Sequence, residues 1–218
     1  MATVDIGKVL AEAQKLYDEG KWRDSNSLID LNESSLTTDE EIAEACRLRG
    51  WNWYYIGTKG LHDKQIGLQM SKEAFKQALD RTSDSKKKIS ILNGLPLSLW
   101  ILEEQEEAWR ISDKAIKEFP EEPSVWNTRS ILFRWAKDFK GSVEVCEKVY
   151  EKALLKGDYR TAGHAKQNKA DALKELGRNR EAMDEYLEAI ALYRQFEKAT
   201  GQSAEFHIAG VRKKALAP

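Results

Sequence analysis

The sequence predicts an all-α protein: a right-handed solenoid of about five helical hairpins, closed by a C-terminal capping helix. Three observations carry this. Apolar residues recur at helical spacing along nearly the whole chain, and no alternating strand of useful length interrupts them. The composition, 33% charged and 41% hydrophobic with only 4 prolines and 13 glycines in 218 residues, suits packed, soluble helices and argues against disorder. A pattern of large apolar, small and aromatic positions around a turn also repeats in order along the chain.

The pattern is clearest from Ala170 to Tyr193, ADALKELGRNREAMDEYLEAIALY. Ala170, Leu173 and Leu176 fall on one side of a helix, Gly177 gives the backbone freedom that ends it, and Ala182, Tyr186, Ala189 and Ile190 form a second stripe. Small residues sit where two helices approach closely, and a large aromatic fills the gap between them. These residues resemble the tetratricopeptide (TPR) repeat. One such unit cannot bury its own apolar face, so it requires neighbours of the same kind.

Laid over the chain, the pattern gives units at 5–35, 39–81, 84–120, 123–157 and 159–198, a capping helix at 203–217, and thus one TPR-like domain over 1–218. In the first, Val9, Ala13 and Leu16 lead to Gly20, then Trp22, Leu28 and Ile29, with Ser25 in the close-packing slot where alanine is usual. The second opens behind Thr38 or Asp39 as N-cap. Its turn is two residues longer, since Gly57 to Ser71 is 14 residues against 12 from Ala170 to Ala182. The third contains Ala108, Ala115 and the helix-stopping Pro120, but Pro96 falls inside its first helix, so a kink or a restart is expected there. The fourth carries Trp126, Ser130 and Phe133, then Phe139, Ser142, Cys146 and Val149. From Leu92 to Trp126 is 34 residues, the period of the family, whereas other units are spaced more widely.

Several function classes are disfavoured. A net charge of −1 provides no bulk basic field for nucleic acid and none towards membranes. The longest apolar run, Ile89 to Leu102, is interrupted by Asn93, Gly94 and Pro96 and is too short to cross a bilayer. No secretory signal is visible, and Cys46 and Cys146 read as buried thiols of a reducing compartment, so the expected location is cytoplasmic. No phosphate loop, nucleophile elbow or dinucleotide fingerprint is present. His62, His164 and His207 have no partner at metal-ligand spacing. No cofactor, no metal and no catalytic residue is expected.

What exceeds ordinary core packing is aromatic content, with seven tryptophans and seven tyrosines. In the family, the first helix of each unit lines a concave face. The resemblance places Tyr17 there from the first unit, and Trp51, Tyr54 and Tyr55 from the second. Asn93, Leu97 and Trp100 follow from the third, Asn127, Thr128, Arg134 and Trp135 from the fourth, and His164, Gln167 and Asn168 from the fifth. Rings, amides and an arginine suit a groove for an extended peptide or a partner helix. The competing reading is that Trp51, Tyr55 and Trp100 only pack adjacent hairpins. The lysine, asparagine and arginine by which some repeat proteins clamp acidic chaperone tails are not found, the corresponding positions being Tyr54 and Thr58, Gly94, and Ser124 and Thr128. The expected function is a non-catalytic adaptor for another protein or peptide; the alternative is a homo-oligomeric scaffold joined through its terminal hairpins.

Overall fold

The computed structural model describes residues 4–216. They form eleven α-helices: α1 (Ile6–Asp18), α2 (Trp22–Leu31), α3 (Asp39–Thr58), α4 (Lys64–Arg81), α5 (Ser85–Ile101), α6 (Gln105–Glu118), α7 (Pro123–Trp135), α8 (Phe139–Leu155), α9 (Tyr159–Glu175), α10 (Asn179–Thr200) and α11 (Glu205–Leu216). A single 3-10 turn, Glu33–Ser35, precedes α3. No strand occurs among the described residues. The fold is all-α, a succession of helical hairpins with a terminal helix. Ala217, the last residue of the expected capping helix, lies outside the described residues. The chain is compact in two units, Met1–Ala115 and Ile116–Pro218.

The helix starts are chemically explicit. Asp5, Asp63, Asp84, Asp138 and Asp158 each accept a hydrogen bond from a backbone amide of the first turn. Of the two candidate caps of α3, Thr38 is the one used, in a reciprocal capping box with Glu41.

The helix ends repeat one solution. The three-residue turns after α1, α5, α7 and α9, and the one after α8, each place their central residue in the left-handed region: Gly20, Glu103, Lys137, Gly177 and Gly157. The amide of the next residue then reaches back five positions, as in Lys21 to Leu16, Glu104 to Leu99, Asp138 to Phe133, Arg178 to Leu173 and Asp158 to Ala153. The α3–α4 turn is longer, Lys59–Asp63, with Gly60 left-handed.

Within residues 1–115, α3 packs against α4, and the first helices α1, α3 and α5 lie side by side. Ser25, in the slot where alanine is usual, donates its hydroxyl to the Ala13 carbonyl at 2.9 Å, and Asn52 donates to Ser25 and Asn26, both at 2.9 Å. Ser71 repeats the device to the Gly50 carbonyl at 2.7 Å. Helix α5 runs unbroken through Pro96, which is buried. Proline therefore does not divide this helix; α3 and α4 pack against it and help hold the turn that lacks its hydrogen bond.

Within residues 116–218, α7, α8, α9 and α10 pack in sequence. Ser142 donates to the Ser130 carbonyl at 3.0 Å, the third use of serine in that slot. The core of the last hairpin comprises Ala170, Leu173, Ala182, Tyr186, Ala189 and Tyr193, and α11 adds Ile208 and Val211. Cys46 and Cys146 are free and buried, and burial pushes the Cys146 thiol up to about 11.

Candidate functional site

In residues 1–115 the aromatic residues singled out in the sequence form one ring cluster. Trp22 stacks on Tyr55 at 5.0 Å, Trp51 stacks on Tyr55 at 6.0 Å, and Tyr17 tilts against Tyr55 at 6.0 Å. Tyr54 meets Trp51 edge-on at 5.8 Å, and Trp51 meets Phe75 edge-on at 5.5 Å. Burial, with Tyr55 adding to it, raises the Tyr17 and Tyr54 phenols above their ordinary value, so both stay neutral. Trp51 also donates its indole N–H to Ser90 Oγ at 3.0 Å.

Beside this cluster lies Arg47, which the sequence reading did not single out. Its guanidinium spans three helices, bonding Glu44 at 2.6 Å, Gln14 of α1 at 2.6 Å and Ser90 of α5 at 3.4 Å. Thus Tyr17, Trp51, Tyr54 and Tyr55 are half-buried and largely occupied with one another. Further along, Leu97 is buried and Asn93 half-buried, and Trp100 packs edge-on against Trp109 at 5.7 Å.

In residues 116–218 several of the expected lining residues are engaged within the fold. Asn168 donates to Asn127 at 2.9 Å, and Thr128 is buried. Tyr193 Oη lies 2.9 Å from His164 Nδ1 and donates to Gln167 at 3.2 Å. Arg134 and Trp135 are placed differently. They border an open pocket of about 650 Å³ whose other walls are Lys137, Phe139, Asp171, Lys174, Glu175, Tyr186 and Lys214.

Asp171, 8% exposed, organises this pocket. Arg134 and Lys214 both pair with its Oδ2, the latter at 2.6 Å, and Tyr186 donates to its Oδ1 at 2.7 Å. Burial first, and then the bond to Asp171, pushes the Tyr186 phenol up, so it remains a donor. The Arg134 Nε is buried with no acceptor. Four cationic side chains face two carboxylates around the pocket, and Trp135 and Phe139 supply an apolar wall. Lys137 reaches the rim from a left-handed turn position, at a φ of 62°.

No group of three or more histidine, cysteine or acidic side chains positioned to hold a metal occurs among the described residues. No helix among them is long and apolar enough to cross a membrane.

No family model matches the chain, and no curated protein matches it. Two solved structures, described as MamA AMB-1 C2221 and MamA AMB-1 P212121, resemble it at 15% identity and a TM-score of 0.45. The first covers 85% of this chain and 96% of its own, the second 93% and 96%. A likeness this loose transfers no function.

Sequence reasoning reached Arg134 and Trp135 but missed Lys137, Phe139, Lys174 and Lys214 as pocket walls. One signal was available for Lys137: it stands where the first and last hairpins carry Gly20 and Gly177.

Proposed function

We propose that this chain is a non-catalytic TPR-like interaction module, and that the pocket bordered by Arg134 and Trp135 holds an extended segment of a partner protein. The observation that carries this role is the composition of the pocket: an aromatic wall, a cationic rim, and an internal carboxylate that fixes two of the cations. A large apolar side chain of the partner would lie on Trp135 and Phe139, and a neighbouring carboxylate would meet Lys137 and Lys174. Rings contribute contact area at low entropic cost, and rim charges set orientation and the rate of encounter. The aromatic cluster of Tyr17, Trp51, Tyr54 and Tyr55, with its rings packed on one another, is read as a support of residues 1–115.

The test is a random-peptide display selection on the purified full chain, repeated on Trp135→Ala and Lys137→Glu. A consensus joining an acidic to a large apolar residue, recovered on the wild type and lost on both variants, is the expected result. The same peptides recovered from all three proteins would remove the pocket from this role.

A further inference from the structure

The polar contacts that hold α11 include the Lys214–Asp171 and Arg194–Glu205 ion pairs and a contact between two imidazoles. His164 on α9 and His207 on α11 meet edge to face with centroids 4.8 Å apart. Tyr193 of α10 closes the group, its ring stacked on His207 at 5.2 Å and its hydroxyl 2.9 Å from His164 Nδ1. Phe206 packs edge-on against His207 at 5.6 Å. Beside them Ile208 and Val211 of α11 are buried against the α9–α10 hairpin.

The charges that act on the two rings are cationic: Arg160 and Lys214 on His164, and Arg160 on His207. Gln167 is neutral, and burial holds the Tyr193 phenol above its ordinary value, hence uncharged. Asp171, two turns along α9, is already engaged by Arg134, Tyr186 and Lys214. A proton arriving on either imidazole therefore finds a cationic neighbourhood and a second imidazole in contact.

We propose that α11 is an acid-sensitive strap, which stays docked while His164 and His207 are neutral and detaches from the α9–α10 hairpin when they are protonated. Detachment carries Lys214 away from Asp171 and removes one cation from the pocket wall. That consequence rests on the partner-binding role proposed for the pocket, whereas the detachment does not.

The direction with pH follows from the docked state. Burial first, then the neighbouring cationic and imidazole groups, lowers His164 from 6.5 to about 3 and His207 from 6.5 to about 4. Released, both rings return towards their ordinary value, so the detached state binds more protons at intermediate acidity. Docking is at full strength above about pH 6.5 and weakens progressively as pH falls from there through about 4 for His207 and about 3 for His164.

The experiment is a proton NMR titration of the full chain without ligand, following the Ile208 and Val211 methyls and both histidine rings. Two variants accompany it, His164→Phe/His207→Phe and His164→Gln/His207→Gln, so that one remains if the other fails to fold. In the wild type the α11 methyls move to exposed positions as the rings titrate, while Val145 and Val149 of the separate α8 core hold their shifts; the folded variant keeps α11 docked over the same range. Methyls that hold their shifts while the rings titrate, methyls that move only with the whole hairpin, or a variant that titrates like the wild type would overturn the strap. Such a failure leaves peptide binding at neutral pH untouched. Release of α11 with no change in peptide affinity would count against the role of the pocket alone.

Discussion

Phe75 lies in a slot that two glycines make for it. A Cβ built on Gly94 would sit 2.4 Å from Phe75 Cζ, and one on Gly50 would sit 2.5 Å from Phe75 Cδ1. The ring is enclosed on both sides, and Trp51 closes it edge-on, so it has nowhere to move. Gly94→Ala should therefore destabilise the protein by about 1–3 kcal/mol, the usual cost of overpacking. Thermal melting checks this, and Gly94→Ala/Phe75→Leu should recover part of the loss. Asp171 gives a second prediction at this scale. Asp171→Asn leaves Arg134 and Lys214 side by side without their carboxylate, and should cost about 2–4 kcal/mol in denaturant unfolding. Individual roles were the least legible part of the sequence. Helical spacing puts Trp51, Tyr54 and Tyr55 on a first helix, but it cannot separate a ring that faces a partner from one that faces Tyr17, Trp22 or Phe75. That distinction depends on which rotamers fill the space between helices.

The hairpin is the element that recurs, and its turn is where the sequence spoke most plainly. Gly20 and Gly177 each mark a left-handed residue, and the long α3–α4 turn was visible in the spacing from Gly57 to Ser71. Glu103 and Lys137 hold the same backbone position without glycine, at φ of 66° and 62°. Left-handed backbone crowds a Cβ, so Glu103→Gly and Lys137→Gly should each stabilise the protein by about 0.5–1 kcal/mol. Melting of the two variants, alone and combined, checks both values. If Lys137 serves the pocket rim, Lys137→Gly should gain stability and lose peptide affinity together. Pro96 shows why an element can defy a local rule: a single missing hydrogen bond is a small loss for a helix packed along its length, and no sequence window contains the neighbours that pack it.

At the scale of the whole molecule, periodicity made the fold class readable because every hairpin must bury the same face against the next. The pocket was not readable in the same way. Its walls come from α7, the turn after it, α8, α9, α10 and α11, and Lys137 and Lys214 are brought together only by the fold. Self-association through terminal hairpins remains the alternative role, and it makes a separate prediction. Light scattering should give the single-chain mass of 24.9 kDa from low to high micromolar concentration if the chain captures partners, and a rising mass if it assembles with itself. The most direct measurement is the affinity of a display-selected peptide for the wild type and for Lys137→Glu, by calorimetric titration at two salt concentrations. Partner capture at the pocket predicts weakening of about tenfold on charge reversal, weaker binding at higher salt, and an unchanged melting temperature. Equal affinity for both proteins at both salt concentrations would contradict it.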